Sequence, residues 1–477
     1  MSDRLDPARE HTREMLYALE IDPEFDPGSG NETNGASRVS EATGRVAMEW
    51  ARSGAMRLTG WPEGQPEFAS GALASAAKGA VLAMDRIAPG CGFAQIDAPA
   101  LFGERAAIDR LSRRGDISAG GSARLLTTRR GALALNLPRD EDWRSIPAWL
   151  ESDAIDPARS RDWQRLAQLV ADRDLAELIE RGRIMGLAIA PATDRPAAMP
   201  KPEGLLRPDT HPLLRLRHAT ETNVRNGSTR SKRLLDLSNL WAGPLATSLL
   251  SLAGIEVLKI ESPARPDGAR HGAKRFFDLM NGQKRGCALD LAVDADRRIF
   301  EQLLESADIV VESARPRALA QLGIDASAWV TERSGRIWAS ITGYGRAREW
   351  IAFGDDAAIA AGLAWAPDGS STRPRFCGDA IADPLGGLHA AAAILAYLAK
   401  GRGGLLDLSL TDIAAYAASI EHDGLALAIE RVEDEWCVIE NERPVPIEKP
   451  RARSTRLRAP RLEAPSAELI AAWTRPC

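Results

Sequence analysis

The chain has 477 residues, 44% hydrophobic and 27% charged, with a formal net charge of −5. That length exceeds the size at which one hydrophobic core stops growing, so two or more domains of ordinary globular composition are expected. The charge gives no reason to expect nucleic acid or an anionic membrane as partner, although a local basic patch would still hold a nucleotide-like anion.

Cys91, Cys287, Cys377, Cys437 and Cys477 have no paired spacing, and the six histidines are scattered. A zinc site needs a cluster and a secreted scaffold needs a dense, even set, so no metal and a reducing cytoplasm are expected. Met1 to Asp6 holds no apolar run, which predicts no signal peptide. No stretch approaches the roughly 18 apolar residues of a membrane span.

In chain order, residues 1–45 read as a flexible N-terminal arm, because 22–45 are rich in Pro, Gly, Ser and Asn. Residues 46–120 are rich in Ala and Gly and predict helices with short turns. Within 121–205, Ala132 to Leu137 is strand-like, Asp174 to Gly186 is an amphipathic helix ended by its Gly, and Leu187 to Pro191 is a short buried strand. That mix predicts a small α/β domain. Residues 206–230, proline-bearing and basic, read as a linker. Within 231–430, Leu234–Leu237, Glu256–Glu261, Asp308–Glu312, Arg336–Ile341 and Leu405–Ser409 are apolar strands separated by helix-length segments. They predict a Rossmann-like, doubly wound parallel sheet, so the fold class is α/β with a second, smaller α/β domain. Residues 431–477 read as a C-terminal tail.

An internal echo runs at an offset of 308 (374 − 66). Pro66, Phe68, Ala72, Ala74 and Gly79 match Pro374, Phe376, Ala380, Ala382 and Gly387, and Gly54 matches Gly362. Asp383 of the second stretch then corresponds to Ser75 of the first, so 46–120 reads as a degenerate repeat of the core.

Four places could carry chemistry. The turn Ser238-Asn239-Leu240-Trp241-Ala242-Gly243-Pro244 has Rossmann-like placement and one glycine where a dinucleotide fingerprint needs three. A nicotinamide enzyme is therefore not expected; the plainer reading is a βαβ unit with Trp241 in the core. Ile381-Ala382-Asp383-Pro384-Leu385-Gly386-Gly387 opens an apolar helix. Asp before Pro is an ordinary N-cap, and the same geometry suits a nucleophilic carboxylate, with Gly386 and Gly387 admitting a close approach. Gly354-Asp355-Asp356 reads as turn and cap residues. Lys284-Arg285 in one loop, and Arg315 just past a strand end, are either solvated or hold a phosphate.

In order and spacing these pieces resemble the class III CoA-transferase family, which includes formyl-CoA transferase, carnitine CoA-transferases and α-methylacyl-CoA racemases. The series runs from Leu234-Leu235-Asp236-Leu237-Ser238 with Ala242-Gly243-Pro244, through Leu258 to Glu261, Lys284-Arg285 with Leu289-Asp290-Leu291, Asp308 to Pro316 and Ser340 to Gly345. Ile381-Ala382-Asp383 and Leu406 to Ser409 complete it. Ala119-Gly120-Gly121 and Gly131 to Leu137 resemble the glycine-rich loop and strand of the family's small domain, which here precedes the core instead of following it. The resemblance implies a fused, partly degenerate double copy and a homodimer, with CoA thioester and carboxylic acid as substrates and no tightly bound cofactor. It makes Asp383 the nucleophile and places CoA against Leu240, Trp241, Ala242, Lys259, Lys284, Arg285, Leu289, Ser313, Arg315, Gly343 and Tyr344. Gly120, Gly121, Gly386 and Gly387 would stabilise oxyanions. The family's racemases place a His where Asp355 stands, so a racemase is the alternative within the family. A non-catalytic CoA-binding scaffold is the alternative outside it, suggested by Ser75.

Overall fold

The structure is a computed structural model that describes residues 7–18, 46–156, 158, 161–192, 214–221, 231–367, 369, 373–420 and 427–475. Its N-terminal part contains helices α1 (Pro7–Ala18), α2 (46–52), α3 (Leu73–Ile87) and α4 (Glu104–Asp109). Strands β1 (Ala123–Thr127), β2 (Ala132–Asn136) and β3 (Ala188–Pro191) then form an antiparallel sheet. Helices α5 (Asp140–Arg144), α6 (Ile146–Leu150), α7 (Trp163–Ala171) and α8 (Leu175–Ile184) accompany it. Asp174 caps α8 by accepting from Ala176 and Glu177, and Gly186 takes the left-handed turn (φ 75°) that ends it. The sheet and its helices bury their own core around Leu133, Leu135, Trp149 and Ile189.

The central sheet runs in the order β4-β10-β9-β8-β5-β6-β7. Five of its strands are β5 (Arg233–Leu237), β6 (Glu256–Glu261), β7 (Arg285–Ala288), β8 (Ile309–Glu312) and β9 (Ile337–Thr342). With β10 (Arg402–Ser409) they pair in parallel. β8 and β9 are buried along their whole length, as a parallel sheet covered on both faces requires. The covering helices are α9 (Ala242–Leu252), α10 (Lys274–Asn281), α11 (Asp294–Ser306), α12 (Pro316–Gln321), α13 (Ala326–Glu332), α14 (Gly354–Ala360), α15 (Ala382–Ala399) and α16 (Leu410–Ser419).

Three segments differ from the sequence reading. Pro7–Ala18, inside the expected arm, is a helix seated on α3; residues 22–45 lie outside those described. Within the expected linker, Arg215–Glu221 is strand β4, paired antiparallel to β10 at the sheet edge. Its arginines reach acidic partners there, Arg215 on Asp412 and Arg217 on Asp407. Charged side chains on an edge strand discourage pairing with another chain, and they also hide the strand from a hydrophobic pattern. Most of the remaining linker is likewise outside the described residues.

The expected tail is ordered structure. β11 (Ile429–Val432), β12 (Glu435–Glu440) and β13 (Arg443–Pro446) form a third, antiparallel sheet. An extended segment then crosses the molecule, and α17 (Ala467–Thr474) buries Trp473. Along this segment Pro450 lies against Gly54 and Gly103, and Pro460 against Gly286, places where a Cβ would meet it within about 3 Å.

Helix α15 runs through the largest core, with α3 and α9 against it. It is the one helix among the described residues long and apolar enough to cross a membrane, and 83% of it is buried inside the protein. Small residues let its neighbours approach. A Cβ on Gly387 would stand 2.6 Å from the Ala242 carbonyl oxygen, and one on Gly386 would stand 2.3 Å from the Leu410 side chain. Helices α2 and α14 are separated by the same 308 positions as the echo, and Gly54 and Gly362 both have left-handed φ values of 79° and 90°.

Candidate active site

Asp383 is the second residue of α15, and the residue at the cap is Ile381, with no side-chain capping bond. The N-cap reading of Asp383 is therefore corrected: the helix begins two residues earlier than Asp-Pro suggests. Ala380 just before it has φ 46°, a left-handed conformation unusual for a residue with a Cβ. Asp355 holds that turn by accepting the Ala380 N–H at 2.9 Å. The Asp383 carboxylate is half-buried and accepts the N–H of Gly354, at the start of α14. Burial pushes it up to about 7, with Arg105 pulling it down and Asp355 and Asp379 pushing it further up.

Asp355, Asp356 and Asp379 are buried around it. Burial first, and then Asp379, raises Asp355 to about 6; burial raises Asp356 to about 7. The N-terminal part reaches this cluster at several points. Arg105 Nε donates to Asp379 Oδ2 at 2.9 Å, and its second nitrogen pairs with Oδ1. Asn136 Nδ2 donates to Asp356 Oδ1 at 3.0 Å. The Gly120-Gly121 turn lies beside Arg105, where a Cβ on Gly120 would be 3.2 Å from the guanidinium. The N–H of Gly121 donates to Ser118 O at 2.8 Å and closes that turn.

Sequence reasoning reached Asp383, the glycine turn and the Asp355-Asp356 doublet. It missed Arg105, Asn136 and Asp379. Their only sequence signal is a polar residue set within an apolar or Ala/Gly-rich stretch, and that also describes many ordinary surface positions.

At the C-terminal ends of the strands the structure brings together Leu240 and Trp241 after β5, Ser313 and Arg315 after β8, and Gly343 and Tyr344 after β9. Ser313 Oγ accepts the Asn239 N–H at 3.0 Å and ties two of these loops. Leu240, with φ 69°, donates its N–H to Asp267 at 2.9 Å and remains partly exposed. Trp241 and Ala242 are buried, the indole edge-on to Phe276 with ring centroids 5.1 Å apart.

Other expected contacts stand elsewhere. Leu289 is buried in the core beneath the sheet, and Arg285 is exposed at the N-terminal end of β7, away from the crevice. Gly386 and Gly387 are enclosed by Leu410 and Ala242 inside helix packing. Lys259 and Lys284 are fully buried and engaged internally. Lys284 Nζ bonds Asp236 at 2.8 Å, the Pro244 carbonyl at 3.0 Å and Asn281 at 2.7 Å; Lys259 Nζ bonds Ser238 O at 2.8 Å and Asp267 at 3.0 Å. The two lysines hold the Asp236 carboxylate well below the usual range despite its burial.

Just past the end of β8, Arg315 is partly exposed. Burial first, and then Arg317 and Arg139, depress its guanidinium, while Glu349 opposes them and Arg265 adds to the lowering. Arg139 comes from the N-terminal part, and Arg265 from the loop after β6. Two of these arginines have carboxylate partners: Arg317 stands 3.7 Å from Glu349, and Arg139 bonds Asp142 at 2.6 Å.

Residues 231–427 match the family model described as CoA-transferase family III. The match covers less than half of the chain. Among curated relatives, the segment is 28% identical over 204 residues to a succinate–glutarate CoA-transferase of Agrobacterium fabrum, covering 38% of this chain and 50% of that protein. It is also 28% identical over 195 residues to an acetyl-CoA:oxalate CoA-transferase of Acetobacter aceti, with the same coverage. The chain thus spans about half the length of the curated relatives it matches. A solved CaiB/BaiF family protein from Brucella suis is 23% identical, with a TM-score of 0.38 over 44% of this chain and 64% of that one. The family segment holds Asp383, Asp355 and Asp379; Arg105, Asn136 and the glycine turn lie outside it.

Proposed function

We propose that this protein moves CoA from an acyl-CoA thioester to a carboxylic acid, with Asp383 as the nucleophile. The observation that carries the reading is a half-buried carboxylate in the first turn of a core helix within the family-matching segment, in the field of the Arg105 guanidinium. In the proposed sequence the Asp383 oxygen attacks the thioester carbonyl, the C–S bond breaks, and the CoA thiolate leaves with the electron pair. The thiolate attacks the aspartyl carbonyl of the mixed anhydride, releasing the donor acid as its carboxylate and leaving an aspartyl-CoA thioester. The acceptor carboxylate then displaces the thiolate to give a second anhydride. Attack of the thiolate on the acceptor carbonyl forms the new acyl-CoA and returns Asp383. No net proton is consumed, but Asp383 must be ionised to begin.

CoA would lie along the strand ends, its phosphates on Arg315, Arg139 and Arg265 and its thioester turned toward the Gly120-Gly121 turn. Calorimetry checks this: Arg139→Ala/Arg315→Ala should weaken CoA binding at least tenfold, and unchanged affinity would count against the placement. The transfer is tested by a screen of CoA donors and acceptor acids, followed by hydroxylamine trapping. The Asp383 peptide should gain the mass of a hydroxamate. An active Asp383→Asn variant without a trapped adduct would sink the proposal.

A further inference from the structure

Asp355, Asp379 and Asp383 come from the start of α14, the loop before α15 and the first turn of α15, and all three lie within the field of one guanidinium, that of Arg105. Arg105 lies outside the family segment, on α4. Helix α4 is clamped from behind: neighbouring Glu104, 1% exposed, accepts Arg453 Nε at 2.7 Å, a second Arg453 nitrogen at 2.9 Å and the Arg453 N–H at 3.1 Å. Forward of that clamp, Arg105 grips Asp379 with two nitrogens, stands 5.4 Å above the Trp241 ring and borders Gly120. It thus touches the aspartate loop, the turn after β5 and the glycine turn together.

We propose that Arg105 is the positioning residue of the Asp383 site: gripping Asp379, it supplies from the N-terminal part the positive charge that opposes protonation of Asp383 among carboxylates. This deepens the transferase reading and rests on it for the use made of Asp383, though not for the electrostatics. The charged groups facing Asp383 are Arg105, Asp355 and Asp379, with Asp109 beside Arg105 and Asp356 beside Asp355. Two like charges oppose ionisation of Asp383 directly, and burial opposes it further. An opposite charge within about 4–6 Å lowers a carboxyl by about one to three pH units.

The test is the titration midpoint of the Asp383 carboxyl in the full chain, followed by carbon-13 NMR and assigned by its loss in Asp383→Asn. Arg105→Gln should raise the midpoint by about one pH unit or more, a tenfold loss of carboxylate at fixed pH. Arg105→Lys should return it toward the wild-type value. Should Arg105→Gln fail to fold, Arg105→Met decides, because it removes the same charge while keeping an apolar side chain against Trp241. The acid limb of CoA transfer should move with the midpoint in each variant. Midpoints that coincide with the wild type in all folded variants overturn the assignment of Arg105. Midpoints that move in a protein without transfer activity uphold it and count against the transferase reading.

Discussion

At the scale of single residues, the informative substitutions are Asp383→Asn and Asp383→Ser. Ile381 occupies the cap of α15, so neither change, nor Asp383→Ala, removes a helix cap. The proposed chemistry predicts loss of turnover in all three with an intact fold. The pH dependence follows from the same group. A carboxyl raised from 3.8 to about 7 favours the protonated folded state, so its contribution to stability is complete below about pH 4 and is lost as pH rises through 7. Asp383→Asn carries no such loss, and its thermal midpoint should equal or exceed the wild type at pH 8. Because attack needs the anion, wild-type turnover should fall off below about pH 7. A variant clearly less stable than wild type at pH 8 would assign Asp383 a structural role instead.

At the scale of elements, the buried lysines hold the strands together. Lys284 precedes β7, Asp236 lies in β5, and Lys259 lies in β6, all with fully buried side chains. Removing one partner of a buried pair leaves an uncompensated charge, at a cost of about 3–5 kcal/mol. Lys284→Met should therefore lower stability by roughly that amount in denaturant unfolding. A folded variant of unchanged stability that has lost only CoA affinity would return Lys284 to the phosphate contact expected from the sequence. Strand β4 and the extended segment after β13 show why these elements escaped prediction. Both are anchored by arginines to carboxylates distant in sequence, such as Arg215 to Asp412 and Arg453 to Glu104, with little apolar periodicity of their own.

At the scale of the whole molecule, the family segment does not close its own site. Arg375, buried beside the Asp383 loop, donates to Glu67 at 2.9 Å and to the Phe68 carbonyl at 2.9 Å. Arg105 and Asn136 supply the partners of Asp379 and Asp356. A fragment of residues 206–477 should therefore be inactive and poorly soluble, since α15 would lose the cover of α3 and three aspartates would lose their cation. Adding residues 1–205 in trans is the control. A soluble, fully active fragment would refute the shared site. Light scattering on the intact 51.4 kDa chain checks the homodimer that the resemblance implies, expected at about twice that mass.

The sequence by itself determined the parallel core, because strands buried on both faces must be written as short apolar runs, as in Ile309–Glu312 and Ile337–Thr342. It also determined the position of Asp383, whose neighbours Ala382, Pro384 and the two glycines are local signals, and the small domain, through the capped helix at Asp174. Tertiary structure alone decided which charges face one another. Lys284 and Arg315 are equally plausible phosphate ligands as letters, yet one is enclosed against Asp236 and the other stays partly exposed past the end of β8. Arg105 and Asp379 are 274 positions apart, and no periodicity or turn rule links such residues. Their pairing follows from the docking of α4 against the core, which many weak contacts set together and no single stretch of sequence records.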